Sequence, residues 1–172
     1  MPTHLIIDGY NLLGLQGGLP GRLESARETL LQGLAAYRHR KGHPITIVFD
    51  GWQQRQPLEQ REHRSGVQII YSRRGERADQ VIQRLAREYG AGCAVVSSDH
   101  EVARSARVSG ALVMGAQEFA MKLWAVPDGG GVPHKELDTG EDKGPPRDPK
   151  KKGNPRKLPK SLRQRSRQLK RF

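Results

Sequence analysis

The sequence has little cysteine and no long apolar run. Cys93 is the only cysteine among 172 residues, which excludes an intramolecular disulfide and a thiolate zinc cluster. No apolar run approaches the roughly 20 residues that a membrane-spanning helix needs. The N-terminus also lacks the charged region and apolar stretch of a signal peptide. These absences predict a soluble cytoplasmic protein that has no membrane partner.

Aromatic residues are scarce as well, at 5%, and hydrophobic residues reach 35%. That content allows one domain with a core, followed by a tail. Residues 143–172 hold 13 Lys and Arg against one acid, Asp148, whereas residues 1–142 hold 17 basic and 17 acidic residues. From residue 126 the chain is rich in Gly and Pro and cannot form a core. We therefore predict a folded domain over residues 1–125 and a disordered basic tail over residues 126–172, whose charge suits a polyanion.

Strand and helix patterns alternate along residues 1–125. Short apolar or β-branched runs predict strands, and apolar residues repeating every three or four positions predict helices between them. The predicted strands cover residues 5–7, 45–49, 67–71, 93–96 and 111–114, and the helices cover residues 22–41, residues 79–89, a segment after Asp99, and residues 116–124. This order predicts an α/β fold, a three-layer αβα sandwich around a mostly parallel sheet of about five strands.

Two segments show no clear period. Residues 12–21 are rich in Gly but lack the order of a Walker phosphate loop, and residues 52–65 are polar and rich in Gln and Arg. We expect both to be loops, and the second to move over the sheet edge. Tyr89 and Val108 are expected on inward helix faces. The histidines, including His4 and His43, have no ligand spacing and are expected at the surface.

Aspartates follow the predicted strands. Asp8, Asp50 and Asp99 come after three of them, and Asp79 opens the helix after another. The carboxyl ends of parallel strands share one rim, so these acids should converge there. Clustered carboxylates raise each other's pKa unless a cation neutralises them. Mg²⁺ or Mn²⁺ suits such oxygen ligands and can activate water against a phosphodiester.

Each aspartate also has a simpler interpretation, as a helix cap or turn residue. Asn11, three residues after Asp8, either hydrogen-bonds a metal water or substrate phosphate, or ties down its loop. A phosphorylation receiver domain also has an acidic rim on a parallel sheet. It requires paired acids after the first strand and a lysine after the fifth, where this chain has Asp8-Gly9 and Gly115-Ala116.

Four motifs resemble those of YacP-type NYN-domain proteins, which belong with the PIN-like nucleases. They are D-G-Y-N-L at residues 8–12, V-F-D-G at 48–51, Y-S-R-R-G-E-R-A-D at 71–79 and V-V-S-S-D-H-E-V at 95–102. The resemblance covers about residues 3–124 and implies a PIN-like sandwich with the first strand central. It implies metal-binding roles for Asp8, Asp79 and Asp99, and site positions at Asn11 and Asp50. It further implies a divalent-metal endoribonuclease acting on RNA, and mRNA on the ribosome is the substrate of a characterised member.

Two functions therefore remain open at this stage. The first is an endoribonuclease that uses Mg²⁺ or Mn²⁺ and no small-molecule cofactor. The second is a non-catalytic RNA- or ribosome-binding protein with a PIN-like platform. The sequence leaves the oligomeric state open. The basic residues proposed to bind RNA are Arg73, Arg74, Arg77, Lys150, Lys151, Lys152, Arg163, Arg165 and Arg167.

Overall fold

The computed structural model describes residues 2–15, 21–51, 57–125, 164, 167–169 and 171–172. The chain divides into two compact units, Met1–Ala125 together with Phe172, and Val126–Arg171. In the second unit, residues 164 and 167–169 have helical backbone. Among the described residues, no helix combines the length and apolar character needed to cross a membrane.

The first unit is built on one sheet, in which six strands are described. They are β1 His4–Asp8, β2 Ile45–Phe49, β3 Gln60–Arg64, β4 Val67–Tyr71, β5 Cys93–Val96 and β6 Leu112–Met114. Their order is β3-β4-β2-β1-β5-β6, and only the β3–β4 pair is antiparallel. β1 is central, since Ile7 pairs with Ile47 on one side and Val96 on the other. The predicted α/β class and mostly parallel sheet are confirmed.

Helices cover both faces of this sheet. They are α1 Gly9–Leu15, α2 Leu23–Lys41, α3 Ala78–Tyr89, α4 His100–Val108 and α5 Ala116–Trp124. Val48 lies in a core cluster with residues of α3 and α4, whereas the next residue, Phe49, contacts Tyr10 of α1 and Arg27 of α2. Successive strand residues point to opposite faces. The architecture is therefore the predicted three-layer αβα sandwich.

The prediction of a loop over residues 52–65 is wrong in part, because β3 lies within it. β3 is a polar edge strand without apolar alternation, which is why its sequence gives no strand signal. It is joined to β4 by Ser65 and Gly66, which have positive φ angles of 50° and 80°. Two such residues make the tight hairpin turn that matches strand twist. Residues 52–56 lie outside the described part of the chain.

The loop predicted for residues 12–21 is also wrong in part, since α1 continues to Leu15. Leu12 and Leu13 are buried, and this tertiary packing stabilises a short helix that contains Gly9 and Gly14. Gly9 is required by close packing, because a Cβ there would overlap the Phe49 ring. Residues 16–20 lie outside the described part of the chain.

Several predictions of side-chain exposure are wrong. Val108, expected inward, is 84% exposed in the last turn of α4, and Tyr89 is also exposed. Tyr89 stacks on the half-buried His4, with ring centroids 4.5 Å apart. His43, expected at the surface, is buried and its ring lies 5.0 Å from that of the buried Phe172. Long-range partners decide the positions of Tyr89 and His43, and local periodicity does not report them.

Candidate functional site

Asp8 ends the central strand and is the most buried acid at the carboxyl rim of the sheet, with 4% of its surface exposed. Its Oδ1 accepts a hydrogen bond from the Asn11 backbone N–H at 3.2 Å, and its Oδ2 accepts one from the Asn11 amide Nδ2 at 2.8 Å. The Ser97 hydroxyl lies 3.5 Å from the same Oδ2. Asn11 reaches both carboxylate oxygens of Asp8 because α1, which contains Asn11, begins immediately after β1.

Asn11 also connects β1 to the segment after β5. Its Oδ1 accepts a hydrogen bond of 2.8 Å from the Ser98 backbone N–H, while its Nδ2 donates to Asp8. The side chain thus has a structural role in joining two strand ends. This corresponds to the loop-fixing alternative for Asn11, and it also fixes the orientation of the Asp8 carboxylate.

Asp50, directly after β2, accepts a 2.5 Å hydrogen bond on Oδ1 from the backbone N–H of Ala78. Ala78 begins α3, where the first N–H groups have no partner within the helix. The next residue must be glycine, because a Cβ at Gly51 would overlap the Ser72 carbonyl. The Gly51 N–H donates a hydrogen bond to Ser72 Oγ at 3.1 Å. Asp50 therefore fixes the start of α3, and with it the adjacent Asp79.

Asp79 is the second residue of α3 and projects to the rim with 25% of its side chain exposed. Its Oδ2 lies 3.3 Å from Arg77 Nη2. Burial raises the pKa of Asp79, the Arg77 guanidinium opposes that rise, and the charges of Asp99 and Asp50 add to it. Asp79 is thus electrostatically coupled to two other strand-end acids.

Asp99 is the N-cap of α4. Its Oδ1 accepts hydrogen bonds from the N–H groups of Glu101 and Val102, at 2.7 Å and 3.1 Å. Its own N–H donates to Ser97 Oγ at 3.1 Å. The capping interpretation is therefore correct for Oδ1. Within the described residues, Oδ2 accepts no hydrogen bond.

The four aspartates share one electrostatic environment. Burial raises the pKa of Asp8 to about 6, and the carboxylates of Asp79 and Asp50 contribute to the rise, while hydrogen bonds from the backbone at Asn11 and Tyr10 oppose it. Asp79 is raised partly by Asp50 and Asp99. The ends of β1 and β2 and the starts of α3 and α4 thus form an acidic rim, which we define as Asp8, Asp50, Asp79 and Asp99.

The acidic rim offers only carboxylate oxygens, the donors that hard divalent cations prefer. In the described part of the chain, no three His, Cys, Asp or Glu side chains are grouped closely enough to hold a metal ion. Mg²⁺ commonly binds through one or two carboxylates and keeps several waters. The donor chemistry of the rim therefore fits such an ion, and the charge of Asp79 is one of those that raise the pKa of Asp8.

An arginine and a tyrosine that the sequence analysis missed lie at the same rim. The Arg27 guanidinium of α2 sits over the rings of Phe49 and Tyr71, 5.1 Å and 5.7 Å from their centroids. Arg27 Nε and the Tyr10 hydroxyl are buried and have no hydrogen-bond partner among the residues that the structure describes. Arg27 lies between the apolar positions of the α2 repeat, so its sequence context signals only a solvent-facing helix residue.

The predicted RNA-binding residues fall into two groups. Arg73, Arg74 and Arg77 lie together in the turn between β4 and α3. Arg73 pairs with Glu76 at 3.4 Å, and Arg77 pairs with Asp79. In the tail, Arg167 is described and exposed. Lys150, Lys151, Lys152, Arg163 and Arg165 lie outside the described residues, as does most of the predicted disordered segment.

Comparison with known proteins identifies the family. The model of the YacP-like NYN domain matches residues 5–159. This chain belongs to the YacP-like NYN domain family. The family is nuclease-like and of the PIN-like type, as the four sequence motifs indicated. The resemblance inferred from residues 8–12, 48–51, 71–79 and 95–102 is therefore confirmed.

Individual relatives agree with this assignment. YacP, an uncharacterized protein of Bacillus subtilis (strain 168), is 33% identical over 86 residues, which cover 48% of this chain and 50% of that protein. Two crystal structures of Rae1 (YacP) from Bacillus subtilis are also similar. One, of a single-substitution mutant, has a TM-score of 0.57 at 26% identity and covers 70% of this chain and 74% of that one. The other has a TM-score of 0.54 at 27% identity, with coverage of 70% and 72%. The matched part of this chain thus spans half the length of the YacP relative.

Proposed function

We propose that this protein is a divalent-metal-dependent endoribonuclease that hydrolyses phosphodiester bonds in RNA. The observation that carries the proposal is the acidic rim on a NYN-type sheet, where burial and neighbouring carboxylates raise the pKa of Asp8 to about 6 and also raise that of Asp79. Carboxylates held together at such a cost are typical of functional sites, and a cation would relieve their repulsion. Membership of a nuclease-like family supports the reaction class.

Asp8 and Asp79 would hold the ion directly, and Asp99 would act through Oδ2 by accepting a hydrogen bond from a water that the ion keeps. A bound Mg²⁺ or Mn²⁺ would supply an acidified water and neutralise charge on the phosphoryl group. The chain's own residues preorganise this arrangement. Asn11 and Ser97 orient the Asp8 carboxylate, and Asp50 fixes the start of α3 next to Asp79.

Arg27 adds positive charge to the same rim. Its guanidinium is partly buried over the rings of Phe49 and Tyr71, and in the described part of the chain it forms no ion pair with a carboxylate. The pKa of Tyr10 responds to the charges of Arg27 and Asp50. Burial raises this pKa, the Arg27 charge opposes the rise, and the Asp50 charge adds to it. A substrate phosphate that approached the rim would provide Arg27 with an anionic partner and its Nε with an acceptor.

RNA is proposed as the substrate because residues 143–172 carry 13 basic residues and one acid, which suits a polyanion. The ribosome as a partner, and mRNA as the natural substrate, rest on the family resemblance of the sequence motifs.

One observation favours the second function, a non-catalytic RNA- or ribosome-binding platform. Two rim acids have structural hydrogen bonds, since Asp50 fixes α3 and Asp99 caps α4. No three carboxylates of the described residues lie close enough together to hold a metal ion. On this interpretation the rim is retained for folding, and RNA binds elsewhere on the surface.

A cleavage assay separates the two functions. Single-stranded RNA would be incubated with the protein in Mn²⁺, in Mg²⁺ and in EDTA, beside the Asp8→Asn variant. A circular RNA included in parallel would be cut only by an endonuclease. We expect cleavage of both RNAs with metal and none with EDTA or the variant. RNA binding without cleavage under all conditions would support the platform function instead.

A further inference from the structure

A second concave surface lies beside the acidic rim and is lined mainly by basic and polar side chains. It is an open cleft of about 670 Å³ between the β4–α3 turn and one face of α3. We call it the arginine cleft. Its lining residues are Pro57, Arg73, Arg74, Gly75, Glu76, Gln80, Gln83, Arg84 and Arg87. Gln80, Gln83, Arg84 and Arg87 have the spacing of one helix face.

The arginine cleft begins next to the rim, because Gln80 follows Asp79 directly on α3. Arg87 is eight residues further along this helix than Asp79, which corresponds to about 12 Å at 1.5 Å per residue. An RNA strand that crosses the rim at Asp79 and continues along α3 would therefore pass Gln83 and reach Arg87. The cleft is positioned to bind a part of a substrate that does not react.

Two acids fix part of the cleft. Arg84 Nη1 lies 2.8 Å from Glu76 Oε1, and its Nη2 contacts Glu59. Glu76 is only 10% exposed and also pairs with Arg73 at 3.4 Å. Two carboxylates thus hold Arg84 in place and neutralise much of its charge. Arg84 and Glu76 serve mainly as the ordered wall of the cleft.

Arg74 and Arg87 are different. Neither forms an ion pair with a carboxylate in the described part of the chain, and Arg87 makes only a 3.2 Å hydrogen bond from Nε to the Gln83 carbonyl. Both side chains are exposed. Their charges are therefore available to an anionic ligand, and Gln80 and Gln83 offer neutral donors between them.

We propose that the arginine cleft is a phosphate-binding subsite for single-stranded RNA, with Arg74 and Arg87 as the residues that contact the backbone. The proposal rests on the proposed function, since it takes RNA to be the substrate that crosses the acidic rim. A fixed wall beside two guanidinium groups that have no carboxylate partner among the described residues suits phosphate oxygens, which arginine binds with paired hydrogen bonds. Contacts to phosphates set the position of a strand and carry no sequence information.

The test compares two double variants that remove the same charge. Arg74→Ala/Arg87→Ala alters the cleft, and Lys41→Ala/Arg107→Ala removes two exposed charges from the last turns of α2 and α4. Binding of a fluorescent single-stranded RNA of about 12 nucleotides would be measured in EDTA over a salt series. Thermal unfolding of all variants would confirm that they fold.

We expect the cleft variant to lose affinity at least about tenfold, because each lost contact is a charge-assisted hydrogen bond. Its log–log salt slope should fall by about 1.4, at about 0.7 per phosphate contact on single strands. The control variant should change neither quantity. The pair Arg74→Lys/Arg87→Lys should recover part of the affinity, since it restores the charge without the paired geometry.

A cleavage comparison with metal completes the test. Cleavage of the 12-nucleotide RNA should fall in the cleft variant, whereas cleavage of a dinucleotide, too short to extend from the rim to Arg87, should not. Equal affinity, slope and cleavage in the cleft and control variants would overturn the subsite. Binding that depends on the cleft without any cleavage would support the subsite and refute the nuclease. Absence of RNA binding by the unmodified protein would overturn both.

Discussion

Replacing Asp8 by Asn should stabilise the metal-free protein while abolishing cleavage. Asp8 is buried and close to other acids, and its pKa is raised to about 6 from an ordinary value of 3.8. The folded state therefore holds the Asp8 proton more tightly than the unfolded state does. Stability from this group is fully present below pH 3.8 and is lost as the pH rises through 6. Asparagine has no charge to desolvate and avoids this loss.

The size of the effect follows from the pKa difference of about two units, since one unit corresponds to 1.36 kcal/mol. Ionising Asp8 thus costs about 3 kcal/mol above pH 6. Asparagine has one acceptor oxygen in place of two, so it gives up one of the contacts with Asn11, at about 1 kcal/mol. The net stabilisation should be about 2 kcal/mol at pH 7.5. At pH 4 ionisation still costs about 0.5 kcal/mol, because the unfolded pKa of 3.8 lies just below this pH, so the sign should reverse to a loss of about 0.5 kcal/mol.

Urea unfolding of both proteins in EDTA, at pH 4 and pH 7.5, would measure these differences. The variant should also melt higher at pH 7.5, by several degrees, at about 2–4 °C per kcal/mol for a chain of this size. Adding Mn²⁺ should raise the melting temperature of the original protein and not that of the variant. A variant that is less stable at both pH values, or equally changed at both, would refute the assignment of an uncompensated charge to Asp8.

Three further predictions test the remaining parts of the structure. Asp99→Asn should change the free energy of unfolding by no more than about 0.5 kcal/mol, because asparagine caps helices as well as aspartate does. The same variant should abolish cleavage, and retained cleavage would limit Asp99 to capping. Asp50→Asn should reduce cleavage less than Asp8→Asn does, because the asparagine side-chain carbonyl can still accept the hydrogen bond from the Ala78 N–H. Comparing kcat of the two variants in Mn²⁺ would test this. Deleting residues 143–172 should lower the log–log salt slope of RNA binding by roughly 4–5 units if half of the 13 charges contact phosphates. The control is Phe172→Ala. Because Phe172 is buried, its loss alone should affect stability and not the slope.

The buried parallel strands could be predicted from the sequence because burial on both faces requires a continuous apolar run. The predicted bounds of β2, β4 and β5 match those of the structure. β3 could not be found in this way. It pairs with the sheet on one side only, its residues are polar, and what defines it is its register with β4, for example Glu62 opposite Ile69. Such pairing is a long-range property that local composition does not express.

The positions of the rim acids could also be predicted, because topology alone brings the carboxyl ends of parallel strands to one edge. The position of Arg27 at the rim could not be predicted, because it depends on where a helix from another layer directs one side chain. The same holds for Arg84, whose charge is neutralised by Glu59, the residue before β3, and by Glu76 from the turn before α3. Counting basic residues in the sequence does not distinguish such a paired arginine from Arg74, which has no carboxylate partner in the described part of the chain.

The sequence left two interpretations for each aspartate, a helix cap or a site residue, as if one excluded the other. The structure of Asp99 removes that opposition. One carboxylate oxygen accepts hydrogen bonds from two N–H groups in the first turn of α4, and the cap thereby fixes the direction of the second oxygen. Asp50 acts in a similar way, since its bond to Ala78 places the neighbouring Asp79. In the proposed metal site, capping would thus orient a carboxylate without a separate supporting residue, and such a site requires preorganisation of this kind. Helix starts after parallel strands therefore supply both the acid and its support from the same few residues.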